Sequence, residues 1–397
     1  MAAGGKRERT TAGRGAGAAR RGQRELAILK LVQKIGPDIN EISNITGIPR
    51  ETARYLYKRH ILKKRIRVLR EIDYDKLGLS CIQFLVKFPA EADNLFDSAT
   101  GSFTGLWENI YASFVYRIIP ENYRFIGHLA PPSLHPRLEQ FYERLEQIGL
   151  CRVIETYHAD RLIHNPMWLE QYDIERNAWD FDWELKGRRA ANIAEDPPVS
   201  EPVELDRTDI EIITTQALDP DANMSALAAR MKMKQPTFAY HWREHLVGRG
   251  IVKGWNIRWL GTDRDPKTGQ ILRRHSSAAI SVVARGLSPV EMMNFRAQLH
   301  SIPFLWGEKV GAGSGEVVAE TLVPGNQLVD YFDFLGKITA QLEGKVRIMM
   351  VDQSAAFGYT VNPHLFDEAR GGWLDMGDLV LKVLEKAMSD YAPSGEK

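Results

Sequence analysis

Cysteine is nearly absent, at two residues in 397, and the pair, Cys81 and Cys151, has neither CxxC spacing nor a secreted context. That excludes a disulfide framework and leaves two structural thiols. No apolar run approaches the roughly 18 residues of a membrane span, and the N-terminus lacks the hydrophobic centre of a signal peptide, so a cytoplasmic protein is expected. Net charge is also nearly absent, since 52 Lys and Arg against 51 Asp and Glu give +1. The balance hides an asymmetry: residues 1–24 hold seven basic residues and one acid, and the rest is net acidic. Catalytic signatures are missing too. Gly311-Ala312-Gly313-Ser314-Gly315 has no GK[ST] ending and lies between two predicted strands, as a hairpin turn does. His241 and His245 sit four apart on one helix with no third ligand of the HExxH kind. No Ser/His/Asp or Cys/His set has local support. No catalytic residue, metal or cofactor is expected.

What the chain does contain is a dense basic stretch within INEISNITGIPRETARYLYKRHILKKRIRVLR, Ile39 to Arg70. Ile39, Ile42 and Ile45 form an apolar period that breaks at Gly47, and after Pro49 a basic segment begins, which reads as helix, tight turn, helix. Arg50, Arg54, Lys58, Arg59, Lys63, Lys64 and Arg65 face one acid, Glu51. Arg50, Arg54 and Lys58 recur every four residues and share a helical face. A solvated surface helix normally interleaves its signs, so this face suits a polyanion.

The device recurs 185 residues later, where Leu227-x9-Thr237 matches Ile42-x9-Thr52. Leu106-Trp107 is matched by Leu305-Trp306 at an offset of 199, and Asn165-Pro166 by Asn362-Pro363 at 197. A period near 200 is a domain duplication rather than a solenoid. The growing offset is absorbed by Gly261 to His275, which is predicted to be a basic hairpin insertion.

The remaining segments follow from composition. Residues 1–23, rich in Gly, Ala and Arg, have no apolar period and are expected as a mobile basic tail. Leu26, Leu29, Val32 and Ile35 place a first helix at Arg24–Ile35, and Ile66–Ile72 alternates as a half-exposed strand, giving a winged helix-turn-helix over 24–75. Residues 171–203 are a linker. Its Trp179, Phe181 and Trp183 alternate with Asp and are expected to lay three rings on a neighbouring surface, the rival being an exposed docking motif. A second winged unit covers 204–260, and residues 369–397 close the chain as an amphipathic helix capping the second copy or a subunit interface.

The order helix-turn-helix, then Ile72-Asp73-x-x-Lys76-Leu77-Gly78, then the strand Ser80–Phe88, resembles the Lrp/AsnC (feast/famine) transcription regulators. The resemblance implies an α+β chain built as two copies of a winged helix-turn-helix followed by a ferredoxin-like βαββαβ domain, at 76–170 and 276–368. In the first copy it implies strands 80–88, 105–111, 113–119 and 150–157 with helices 90–98 and 132–148. In the second it implies strands 277–285, 304–310, 315–323 and 345–352 with helices 288–299 and 325–341. The family's effector turn keeps no aspartate here, in Asn109–Arg117 or Lys309–Glu320, so no small-molecule effector is assigned. The function implied is a double-stranded DNA-binding regulator in archaeal style, not an enzyme, acting as a covalent pseudo-dimer, with further homo-oligomerisation through the effector-like domains left open. Phosphate contacts fall to Lys58, Arg59, Lys63, Lys64 and Arg65, and base contacts to Arg50 and Arg54, with Lys234, Gln235, Tyr240 and Arg243 in the second copy. Two rivals remain. Siroheme decarboxylases resemble the same architecture and use His and Arg residues for a tetrapyrrole, although no His/Tyr/Arg cluster is visible in either effector-like domain. A protein-binding winged-helix scaffold is the other.

Overall fold

In the computed structural model, residues 11–62, 66–90, 107–176, 178–183, 198–219, 222–259, 263–264, 271–273 and 277–391 are described. Three helices open the chain, α1 (Thr11–Ile35), α2 (Ile39–Thr46) and α3 (Arg50–Tyr55), the last running into a π-helical turn at Leu56–Ile61. The Asp38 side chain caps α2 by accepting from the backbone N–H of Asn40 and Glu41, and Gly47 ends it at φ 67°. That left-handed conformation costs glycine nothing. Helix α1 begins at Thr11, inside the stretch expected as a mobile tail. Its alanines and arginines are strong helix formers, and extending a packed helix avoids a new nucleus.

Strand β1 (Ile66–Ile72) leads to the first ferredoxin-like unit: β2 (Ser80–Lys87), β3 (Ala112–Ile119), β4 (Tyr123–Ala130), α4 (His135–Gln147) and β5 (Arg152–Ala159), with β6 (Arg161–His164) just beyond. Two short strands follow, β7 (Tyr172–Asp173) and β8 (Ala178–Trp179). The second helical unit holds α5 (Arg207–Leu218), α6 (Met224–Arg230) and α7 (Gln235–Tyr240), again with a π-helical turn at His241–Val247, then β9 (Val252–Trp259). A paired hairpin, β10 (Asp263–Arg264) and β11 (Ile271–Arg273), stands where the insertion is expected, and its turn lies outside the described residues. The second ferredoxin-like unit is β12 (Ser277–Ala284), α8 (Pro289–Leu299), β13 (Leu305–Gly311), β14 (Glu316–Pro324), α9 (Leu328–Thr339) and β15 (Val346–Gly358). The pair β16 (Phe366–Asp367) and β17 (Gly372–Trp373) and helix α10 (Gly377–Tyr391) end the chain.

The expected duplicated α+β fold is therefore present, and the two copies merge. One antiparallel sheet runs β5-β2-β4-β3-β15-β12-β14-β13-β6. The long strand β15 pairs first with β12 and then with β3, while β6 pairs with β13. Only Asp160 separates β5 from β6, so the two ends of the order meet and the sheet closes on itself. Leu85, Phe125 and Tyr157 from the first copy and Val283, Val318 and Met349 from the second share one core inside it. Each such apolar side chain stabilises the closed form by about 1.5–3 kcal/mol.

Several sequence expectations are corrected. Strand β1 is not a wing of its own unit: it pairs with β9 of the other copy, from Ile66↔Trp259 to Ile72↔Val252, where the Arg70 guanidinium lies over the Trp255 and Trp242 rings. The first copy has no strand over Trp107–Tyr111. Trp107 is buried in a helical turn, the second strand is Ala112–Ile119, and the third, Tyr123–Ala130, falls in a stretch to which the sequence assigns no element. The expected helix 90–98 lies outside the described residues beyond Ala90. Trp179, Phe181 and Trp183 all pack against Phe304 of the second copy, which removes the exposed docking motif. Helix α10 buries Val380 and Leu384 in the core of the first copy, with Leu138 and Leu145 of α4, rather than capping the second.

Candidate active site

The closed sheet has a mouth, covered by β9, where side chains from both copies meet. One cleft of about 260 Å³ is lined by Tyr116, His164, Arg258, Trp306 and Lys309, among others. A second, of about 310 Å³, shares Tyr116, Trp306, Glu320 and Gly358 with it and adds Trp259 and Phe357. Barrel mouths are a common place for ligands. Alternation along β13 produces the lining. Glu308 turns toward α8, where Arg296 donates to it from Nε at 3.1 Å and Nη2 at 2.7 Å, while Gly307 and Lys309 face the cleft. An irregularity between Leu305 and Gly307 brings Trp306 to the same side.

Arg258 donates from Nη2 to Nδ1 of His164 at 2.7 Å, and its guanidinium lies 4.5 Å from the Trp306 ring centroid. Because arginine only donates, Nδ1 must accept, so the neutral imidazole carries its proton on Nε2. Burial, then the charges of Arg258, Lys309 and Lys253, push His164 down to about 3. Arg258 Nε is buried with no partner among the described residues, a costly state for a cationic donor. Burial lowers the Arg258 pKa, opposed by Glu320 and the nearby tyrosines. Lys309 donates to Glu320 at 2.5 Å and lies 4.5 Å from the Phe114 ring centroid. The mouth therefore offers flat aromatic faces beside a cationic corner. Cysteine chemistry is unsupported: burial pushes the Cys81 thiol up to about 12.

A second buried histidine tests the same physics away from the cleft. His128 lies between the Ile110 carbonyl, 2.7 Å from Nδ1, and the Tyr142 hydroxyl, 2.8 Å from Nε2, and burial lowers it to about 4. The unfolded chain takes up this proton near pH 6.5 and the folded chain only near 4. Stability present above pH 6.5 is thus lost as pH falls toward 4, by of order 3 kcal/mol for His128. Urea unfolding across that window is expected to show the loss, and His128→Gln to flatten it.

The residues expected to touch DNA lie elsewhere. Arg50, Lys58 and Arg59 are exposed, and Arg54 pairs with Glu51 at 3.0 Å. Lys63, Lys64 and Arg65 lie outside the described residues. Lys234 and Gln235 are exposed at the start of α7 and Tyr240 is half exposed, while Arg243 pairs with Glu244 at 2.9 Å. None of those among the described residues lines the cleft. Neither effector-like domain was expected to hold a His/Tyr/Arg cluster, and the one found is assembled across units, His164 and Tyr116 from β6 and β3 of the first effector-like domain and Arg258 from β9 of the second helical unit, with no shared local motif. The one available signal was a cation beside tryptophan, in Arg258-Trp259 and Trp306-x-x-Lys309. Asp206 and Asp209, from the start of another helix, converge on the histidine pair His241 and His245.

No family model and no curated protein sequence matches the chain. Among solved structures, the siroheme decarboxylase NirDL matches at TM-score 0.50 and 10% identity, over 91% of this chain and 99% of that one. The same enzyme in complex with an iron-uroporphyrin III analogue matches at 0.51 and 11%, over 91% and 98%. An AsnC family transcriptional regulator from Agrobacterium tumefaciens matches over 40% of this chain and 95% of its own, at TM-score 0.28 and 15% identity. The likeness establishes the class of fold: paired helix-turn-helix and ferredoxin-like units. The expectation of a chain that is not an enzyme is corrected here, because the structures that match along nearly the whole length are those of a decarboxylase. Among the described residues no helix is long and apolar enough to cross a membrane.

Proposed function

We propose that the chain binds a carboxylate-bearing tetrapyrrole across the mouth of the closed sheet and removes a carboxylate from its periphery. The Arg258–His164 pair, in a cleft walled by Tyr116 and Trp306 that continues through these two rings into the cleft lined by Trp259 and Phe357, carries the reading. Flat rings suit a macrocycle, and a guanidinium suits a carboxylate through parallel N–H donors. The full-length likeness to siroheme decarboxylase NirDL supports it.

The chemistry follows from the field at His164. A substrate carboxylate that takes over the Arg258 guanidinium frees Nδ1 and offsets the charges that depress the ring, so His164 gains a second proton. Loss of CO2 breaks the bond to the side-chain carbon and leaves its electron pair there. Protonated His164 delivers the proton that completes the new C–H bond, and the ring returns to neutrality. The test is titration with an iron-uroporphyrin, read by its visible absorption and by the mass of the recovered tetrapyrrole. A shifted spectrum followed by loss of CO2 units is expected; an unchanged spectrum at saturating tetrapyrrole removes the reading.

The exposed Arg50, Lys58 and Arg59 favour a second reading, duplex DNA gripped by the first recognition helix. Each phosphate contact would then contribute a log–log salt slope of about −0.9. Lys58→Gln with Arg59→Gln is expected to lower the slope's magnitude by about two, measured by fluorescence anisotropy against salt, and an unchanged slope rejects this reading.

A further inference from the structure

The second helix-turn-helix unit contains a side-chain cluster that the cleft does not use. Asp206 caps α5, and Asp209 stands three residues further on; each accepts the other's backbone N–H, Asp209 N–H to Asp206 Oδ1 at 2.9 Å and Asp206 N–H to Asp209 Oδ2 at 3.2 Å. Capping therefore uses Oδ1 of Asp206 and leaves Oδ2 available. His241 and His245 stand one turn apart on the π-helical stretch that continues the recognition helix, their ring centroids 4.7 Å apart. Both turn Nδ1 toward the same carboxylate. His241 Nδ1 is 2.9 Å from Asp209 Oδ1, and His245 Nδ1 is 3.0 Å from Asp209 Oδ2. Asp206 Oδ2 lies 3.6 and 3.8 Å from the two nitrogens, and one ligand atom from each of the four residues falls within 4.8 Å of all the others.

We propose that Asp206, Asp209, His241 and His245 form a tetrahedral site for a zinc-class divalent cation, which ties the start of α5 to the recognition helix of the second unit. Tetrahedral zinc with bonds of about 2.0–2.2 Å needs ligand atoms about 3.3–3.6 Å apart, and the four nitrogen–oxygen distances bracket that edge. Two imidazoles with two carboxylates suit zinc better than magnesium or calcium, which prefer oxygen alone.

The first copy supplies an internal comparison. There the matching place holds Glu25, fully buried, with His60 Nδ1 at 3.3 Å and Arg21 Nε at 3.7 Å. The aromatic neighbour is kept, since Tyr55 meets His60 with centroids 5.1 Å apart and Tyr240 meets His245 at 5.2 Å. What changes is the charge. On this first helix the offset is 184, so that Glu25 matches Asp209 and Gly22 stands at the place of Asp206, and at 185 on the later helix Leu56 is replaced by His241. One copy thus places a guanidinium beside its buried carboxylate. The other copy instead sets a second acid and a second imidazole beside its buried carboxylate, and the only ion-pair partners of these two acids among the described residues are the two histidines. A buried carboxylate needs a compensating charge, and a dication between the four groups provides it.

The experiment uses the full chain, free of any histidine tag and stripped with a chelator, and titrates it with Co2+ alone. One equivalent is expected to give the intense visible d–d bands of tetrahedral cobalt, which Zn2+ then abolishes, and stoichiometric Zn2+ is expected to raise the unfolding midpoint. His245→Gln should weaken binding at least tenfold. Asp206→Ser keeps a good cap residue while removing the ligand oxygen, and should do the same, so the test stands even where the histidine variant unfolds. His60→Gln in the first copy should leave the titration unchanged. Absent tetrahedral bands in the stripped chain, or an unaltered titration in Asp206→Ser, would overturn the site.

Discussion

Arg258→Gln is expected to weaken tetrapyrrole binding by about 10- to 150-fold, the equivalent of a hydrogen bond to a charged group at about 1.5–3 kcal/mol. Arg258→Lys should recover little of it, because an ammonium cannot reproduce the parallel N–H donors that a carboxylate takes from a planar guanidinium. The variant has a second signature. Burial remains the largest cause of the low His164 pKa, but the Arg258 charge comes next, so removing it moves the histidine titration upward. Absorption titrations repeated across pH would show weaker binding together with a pH profile displaced toward neutrality. Parent-like affinity in Arg258→Gln would place the ligand elsewhere. Weaker binding without a displaced profile would separate carboxylate binding from any role of His164 in proton transfer.

The largest expected loss of stability lies behind the site, at Glu308. Burial alone would raise this carboxyl, but hydrogen bonds from His300 and Arg296 hold it below its usual range, and Arg296 and Glu308 are both buried. Arg296→Met leaves Glu308 with His300, at 2.8 Å, as its one side-chain partner among the described residues, and should cost about 3–5 kcal/mol in denaturant unfolding, as breaking a buried pair does. Arg296→Met with Glu308→Leu should recover most of it, because the desolvated charge is gone. A single variant within about 1 kcal/mol of the parent would mean that water reaches the pair.

The helical units were legible because their signals are local. Gly47 and Pro49 mark the first turn, and the Leu227-x9-Thr237 spacing reveals the second. The second ferredoxin-like unit was readable almost strand by strand, since Ser277–Ala284 and Glu316–Pro324 are apolar runs between clear breaks. The first was misread where one resemblance misled: Leu106-Trp107 matches Leu305-Trp306 in sequence, yet Trp306 sits in a strand and Trp107 in a helical turn. The cleft was invisible for a different reason. His164 and Arg258 are 94 residues apart, and only pairing of β6 with β13 and of β1 with β9 brings them together. The same holds for His241, whose carboxylate partner lies 32 residues away on another helix. Periodicity reports which face a residue occupies, not which faces meet.

Closure of the sheet through Asp160 also bears on assembly. Open sheets can grow by accepting a strand at a free edge, a route to dimers and to fibrils. Here the edges that two separate chains could offer each other are already taken within one molecule, β3 by β15 and β13 by β6. The closed sheet therefore offers no such edge to a second copy, helix α9 presents the exposed Val329 and Phe332 instead, and a partially unfolded form that releases β6 would be the species at risk of aggregation.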